Sequence, residues 1–166
     1  MSELSKMNKL SFRSIADNDL GTICQLPQNK EELFFMFPKA DYPLSVEQLE
    51  AVMANRSDST VILLDSKIVG FANFYEVKDN EYCSIGNVIV SSYFRNNGIG
   101  KYLIETMESI ALKKYNVREI HISCFNMNTK GILLYSKLGY IPYEIEERLN
   151  KEESKVALIK MKKEML

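Results

Sequence analysis

The stretch Val88-Ile89-Val90-Ser91-Ser92-Tyr93-Phe94-Arg95-Asn96-Asn97-Gly98-Ile99-Gly100-Lys101-Tyr102-Leu103 changes character twice within a few residues. Val88, Ile89 and Val90 close a β-branched, apolar run that begins near Tyr82 and reads as a strand. Asn96-Asn97-Gly98-Ile99-Gly100 breaks that pattern. From Lys101 to Tyr115 the apolar residues then recur at helical spacing, through Leu103, Ile104, Met107, Ile110 and Ala111. A glycine loop between strand and helix lets the backbone N–H groups of Arg95 to Lys101 converge. The following helix adds the positive end of its dipole, so the segment can hold a pyrophosphate. Arg95 can add a charge-assisted contact or point to solvent. The same residues also suit a tight turn that binds nothing. Two other phosphate loops fail on spacing: a dinucleotide fingerprint needs glycine where Leu103 stands, and a Walker loop needs glycine at Arg95 and Ser or Thr at Tyr102.

Upstream, Thr60 to Leu64 and Ile68 to Glu76 read as a hairpin across Asp65-Ser66-Lys67, and a third strand, Tyr82 to Val90, follows the turn at Lys78-Asp79-Asn80. Leu10 to Ile15 reads as an earlier strand, with Asp17 and Asn18 as candidate caps for a helix beginning near Asp19. Lys30 to Phe37 is aromatic-rich, stops at Pro38 and runs into Asp41-Tyr42-Pro43-Leu44, where two prolines mark an irregular loop. Ser45 is placed to cap a helix reaching about Asn55. Downstream come a strand from Glu119 to Phe125, a helix from about Thr129 to Lys137 closed by Gly139, and a strand pair at Tyr140 to Glu146 and Val156 to Met161. The order is that of one mixed α/β (α+β) domain over residues 1–166.

Composition agrees. A chain of 166 residues, 46% of them hydrophobic, has apolar material for one core. Lys and Arg number 21 against 22 Asp and Glu, so the chain carries no electrostatic footprint for nucleic acid, and any anion must be held locally. Cys24, Cys83 and Cys124 lie far apart and match no zinc or redox spacing, so reduced thiols and no metal are expected. The N-terminus MSELSKMNKL lacks the apolar core of a signal peptide, and no run of about 18 apolar residues occurs, so the expectation is a cytoplasmic protein with no membrane partner.

The segment from Val88 to Leu103 resembles the acetyl-CoA-binding motif of the GNAT N-acetyltransferases, in which Arg or Gln opens an R-x-x-G-x-G/A loop after a hydrophobic strand. Asn128-Thr129-Lys130-Gly131-Ile132-Leu133-Leu134-Tyr135-Ser136-Lys137-Leu138-Gly139-Tyr140 is similar to the family's later motif, an Asn followed seven residues on by Tyr and then by Lys-Leu-Gly-aromatic. The resemblance implies a mixed, mostly antiparallel sheet of about seven strands flanked by helices and split between the fourth and fifth. It also implies acetyl-CoA as cosubstrate, held along Val88, Ile89 and Val90, at the N–H groups of Arg95, Asn96, Asn97, Gly98, Ile99, Gly100 and Lys101, and at Asn128 and Tyr135. The activity it implies is acetyl-CoA-dependent transfer of an acetyl group to a primary amine of a small molecule or protein, in a ternary complex, with a homodimer as a family habit. The alternative is a non-catalytic acyl-CoA-binding or sensing module.

Within that implied reaction Tyr135 is the candidate general acid for the departing thiolate. A core-edge tyrosine is the plainer reading of the same residue. Asn128 serves equally as a helix N-cap, and the two roles are compatible. Backbone N–H groups near Val88 to Val90 are candidates to stabilise the oxyanion. Many family members carry a Glu six residues before the valine matching Val90; Ser84 stands there, leaving Glu76, Glu81, Tyr82 or a water chain as proton route. His121 alternates with Ile120 and Ile122 and shows no ligand-spaced partner, so it reads as a strand residue without a catalytic or metal role. Phe34, Phe35, Met36, Phe37 and Tyr42 read either as core or as a wall of the acceptor site, and Glu31, Glu32, Asp41 and Glu47 nearby favour a cationic amine.

Overall fold

The computed structural model describes residues 9–166, and the reading of the N-terminus falls largely outside the described residues. Seven strands form one sheet: β1 (Leu10–Ser14), β2 (Ser57–Leu64), β3 (Lys67–Lys78), β4 (Tyr82–Val90), β5 (Glu119–Phe125), β6 (Ile141–Leu149) and β7 (Lys155–Glu164). Their order is β1-β2-β3-β4-β5-β7-β6, and among the described residues only β4 and β5 pair in parallel. Five helices flank it: α1 (Leu20–Cys24), α2 (Lys30–Met36), α3 (Val46–Met53), α4 (Ile99–Tyr115) and α5 (Thr129–Lys137).

Alternation along the strands feeds two apolar cores. Ile62, Phe74, Cys83, Ile85, Ile120 and Ile122 face α4 and α5, packing on Leu103, Ile104 and Met107. Val61, Phe71 and Ile89 face the other way, onto Ile23, Leu33 and Leu49 of α1 to α3. Side chains on successive strand residues point to opposite faces, so each face of the sheet demands its own helical cover.

Local chemistry explains most boundaries. Ser45 accepts from Gln48 N–H to start α3, Asn29 accepts from Glu32 N–H to start α2, and Gly139 at φ +98° ends α5. Asn29 caps Lys30 to Met36 as a helix, with Glu32 tied back to Gln28 N–H, and the irregular loop marked by Pro38 and Pro43 follows it. One expectation needs correction. Ahead of α1 neither Asp17 nor Asn18 caps; Asp19 holds the N-cap position without a side-chain cap bond, its carboxylate instead accepting from Ala16 N–H at 2.7 Å while Arg13 clamps it at 2.6 and 2.9 Å. That clamp holds the Asp19 carboxyl below the usual carboxylate range.

The feature that positions the site is how β4 and β5 diverge. Their parallel pairing runs only from Tyr82 with Glu119 to Ile85 with Ile122. Beyond it β4 stays on β3 as far as Val90, and β5 stays on β7 as far as Phe125. A β-bulge at Asn87, whose φ is +51°, bends β4 where the gap opens. Asn87 is held there by Arg56, which donates to its side-chain oxygen at 3.2 Å, and by its own donation to Met36 O at 2.8 Å.

Candidate active site

Both segments singled out by sequence lie at the mouth of this gap, where the carboxyl ends of two parallel strands leave room for a ligand. On the β4 side, Val88 and Val90 turn to the α4–α5 core while Ile89 is buried against α1 to α3. The glycine loop follows a 3-10 turn at Ser92–Phe94. Gly98 sits at φ +77°, a left-handed conformation that residues with a Cβ adopt at a cost, and caps α4. The first bond into the helix runs from Tyr102 N–H to Gly98 O, so Ile99, Gly100 and Lys101 present N–H groups with no intrahelical partner. Gly100 has a second reason to be glycine: a Cβ there would lie 2.9 Å from Leu134 of α5. Three N–H groups without an intrahelical partner at a helix start are an arrangement able to hold a pyrophosphate.

The Arg95 side chain takes neither of its expected directions. Its guanidinium donates to Val90 O at 3.1 and 3.2 Å and pairs with the Glu32 carboxylate on α2. It therefore braces the end of β4.

On the β5 side, Asn128 caps α5, accepting from Gly131 N–H at 3.1 Å. Tyr135, seven residues and about two helical turns further on, is buried at 5% exposure, with its ring edge-on to Tyr140 at 6.3 Å. Its hydroxyl has no hydrogen-bond partner among the described residues, although it is not among the sealed polar atoms. Burial, and secondarily the neighbouring Cys124, push the phenol well above the ordinary tyrosine range, so it stays protonated.

The face of the sheet under α1 to α3 carries a second set of polar groups. Ser84 is buried there beside His121, its partner in the parallel pairing. Asn73 lies across from Gly86, fully buried, with both ends of its carboxamide unpartnered among the described residues. Of the other proton routes, Glu76 accepts from the Tyr82 hydroxyl, which pushes Tyr82 up to about 12, and Glu81 is tied to Lys78 at 2.8 Å.

The aromatic segment does two jobs. Phe34 stacks on Phe125 at 4.4 Å, closing the end of β5, and Met36 is buried. Phe34, Phe35 and Tyr42 also line a cavity of about 560 Å³ shared with Met127 and with Asn150 to Glu152 of the β6–β7 turn. Of the four acidic residues marked by sequence, Glu31 and Asp41 line it, joined by Glu152, while Glu32 goes to Arg95. Among the described residues no group of three or more His, Cys, Asp or Glu is placed to hold a metal, and no helix is long and apolar enough to cross a membrane.

The family model described as "Acetyltransferase (GNAT) family" matches residues 25–140, and the chain belongs to that family. Spermidine N-acetyltransferase from Vibrio cholerae, solved with CoA and spermine, superposes with a TM-score of 0.78 at 18% identity, covering 95% of this chain and 96% of that one. The ribosomal-protein-S18-alanine N-acetyltransferase of Escherichia coli gives a TM-score of 0.72 at 20% identity, covering 93% of both chains. The ribosomal-protein-alanine N-acetyltransferase of Brucella melitensis gives 0.74 at 17%, covering 93% and 99%. At these identities the likeness is one of fold.

Proposed function

We propose that this chain moves an acetyl group from acetyl-CoA to a primary amine by direct attack in a ternary complex. The observation that carries the reading is the junction of β4 and α4, where a gap in the sheet opens beside three unpartnered N–H groups. Ile99, Gly100 and Lys101 would hold the pyrophosphate, and the unpaired edge of β4 from Gly86 to Val90 would receive the pantetheine arm. The side-chain amide nitrogen of Asn128, left free by the cap that its oxygen makes, would donate to the same arm. The cosubstrate supplies an activated thioester; the protein supplies position, charge and protons.

Tyr135 is the general acid of this reading. Its hydroxyl has no competing partner, and burial keeps the proton on it. The same burial raises the basicity of a thiolate formed beside it, so the two groups stay matched although each is shifted. The cavity walled by Phe34, Phe35 and Tyr42 is the acceptor's entry; Glu31, Asp41 and Glu152 line it against Lys30 and Lys151, the latter paired with Asp41 at 3.2 Å, and this small acidic excess favours a cationic amine.

The experiment is thiol release from acetyl-CoA across polyamines, amino acids, aminoglycosides and peptides, with cofactor binding measured in parallel. Turnover with one amine class is the expected result. Tight binding without turnover on any amine would replace this reading with a cofactor-sensing one.

A further inference from the structure

The acetyltransferase reading leaves one step without a residue. An acceptor held as ammonium must lose a proton before its nitrogen can attack, and an alkylammonium of lysine type holds that proton to a pKa of about 10.4. Ser84 stands where the resemblance implies a carboxylate, and Glu76 and Glu81 are engaged elsewhere.

The parallel pairing of β4 and β5 sets His121 directly beside Ser84. Both occupy the face under α1 to α3, since Cys83, Ile85, Ile120 and Ile122 fill the opposite core. The His121 Nε2 lies 2.8 Å from the Glu119 carboxylate. Its ring stacks on Tyr82 with centroids 4.4 Å apart and planes 11° from parallel, and Tyr143 leans on it at 5.4 Å. These contacts fix the ring and engage one nitrogen; Nδ1 has no hydrogen-bond partner among the described residues. When Nε2–H donates to the carboxylate, the lone pair sits on Nδ1, the arrangement of a base oriented by a third group. The side chain is 17% exposed, so the ring is partly open to solvent while protein covers the rest. The last pair of the ladder, Ile85 with Ile122, comes immediately after, so His121 stands at the closed end of the gap.

The groups facing His121 fit this role. Glu119 is held below the ordinary carboxylate range, first by its bond to His121 and then by Lys162, which reaches it at 3.6 Å from β7. Tyr82 is kept neutral by Glu76, with Glu81 further out. Tyr143 on β6 has Lys162 over its ring and Tyr75, Lys160 and Glu144 around it. The imidazole thus meets one charged carboxylate, one cation that shares that carboxylate, and neutral aromatic walls.

We propose that His121, oriented by Glu119, is the catalytic base that takes a proton from the acceptor ammonium. The inference rests on the acetyltransferase reading and deepens it. An N–H bond breaks, its electron pair stays on nitrogen, and the proton passes to Nδ1 and then to water. As the N–C bond forms and the C–S bond breaks, Tyr135 gives its proton to sulfur; the second amine proton leaves to water, and the tyrosinate takes one proton back from water, so the cycle closes with Tyr135 neutral.

The test compares wild type with His121→Gln and Glu119→Gln, measuring kcat and kcat/KM for the best amine against pH and acetyl-CoA Kd separately. In wild type, kcat/KM rises with pH and levels off once the base is unprotonated. His121→Gln loses about 100-fold in kcat, keeps cofactor Kd within about twofold, and recovers rate steadily as pH climbs toward the amine's own pKa. Glu119→Gln moves the wild-type limb to lower pH, because the imidazolium loses its carboxylate. An active wild type with His121→Gln unchanged in rate and profile overturns the proposal alone. Equal loss of cofactor binding and turnover does so too, by making the residue structural. If His121→Gln fails to fold, an unmoved limb in Glu119→Gln overturns the proposal and a moved one supports it. A wild type that turns over no amine overturns the acetyltransferase reading itself.

Discussion

Asn128 and Gly131 are fitted to one another: the asparagine oxygen accepts from Gly131 N–H at 3.1 Å, and a Cβ at 131 would lie 2.8 Å from the asparagine nitrogen and 2.9 Å from Cys124 Sγ. Gly131→Ala gains about 1 kcal/mol of helix propensity and costs about 1 to 3 kcal/mol by crowding a buried sulfur and the cap. The expected net is a loss of up to about 2 kcal/mol, together with weaker cofactor binding as Asn128 is displaced. Thermal unfolding and acetyl-CoA titration check both effects; an alanine variant with raised Tm and unchanged Kd would refute the fit.

Tyr135→Phe removes a hydroxyl that bonds to nothing in the described structure. Stability and acetyl-CoA affinity should therefore hardly move, while kcat falls by roughly 100- to 10,000-fold if the phenol is the proton donor. Steady-state kinetics beside a melting curve separate the two. A variant with wild-type kcat would strip Tyr135 of the role.

Asn73 carries the opposite signature, a buried carboxamide with no partner in the fold. Leaving such a group unpaired costs about 1 to 3 kcal/mol, so Asn73→Leu, close in shape, should raise stability by an amount in that range. It sits on the polar floor beside Gly86, and a fall in turnover should accompany the gain. Denaturant unfolding and kcat decide. A destabilised variant would mean that the amide is satisfied in solution.

Asp19 gives a pH-dependent test. Its folded pKa is depressed, first by the hydrogen bond from Arg13, so its contribution is present above the unfolded pKa and lost as pH falls through the folded one. Asp19→Asn should lower Tm at neutral pH, and the gap to wild type should close in acid below the usual carboxylate range. A gap independent of pH would assign the loss to packing instead.

Much of the fold was legible because glycine and asparagine punctuate this chain. The spans Tyr82 to Val90, Glu119 to Phe125 and Thr129 to Lys137 are bounded by such residues, and the structure reproduces those limits. The helix at Lys30–Met36 was harder, since its aromatic residues and the prolines after it resemble loop composition, while the deciding cap is a single Asn29. His121 shows a different limit. Its partner Glu119, two residues away on the same strand face, was available to a strand-period reading. Ser84, Tyr82, Tyr143 and Lys162 reach it only through strand pairing across the whole second half of the chain. Arg95 likewise meets Glu32, 63 residues away in sequence, a contact that no local pattern encodes.

The seam between β4 and β5 consists of four residue pairs, with a long unjoined margin beyond them. Mechanically the sheet is two panels, β1 to β4 and β5, β7 and β6, sharing one short spine. A molecule that bridges both margins would do for the panels what further backbone pairing would have done, so ligation and folding draw on the same free energy. Amide exchange should then slow along the margins of both strands at once when acetyl-CoA binds, and the two panels should unfold as one body with it and less tightly coupled without it.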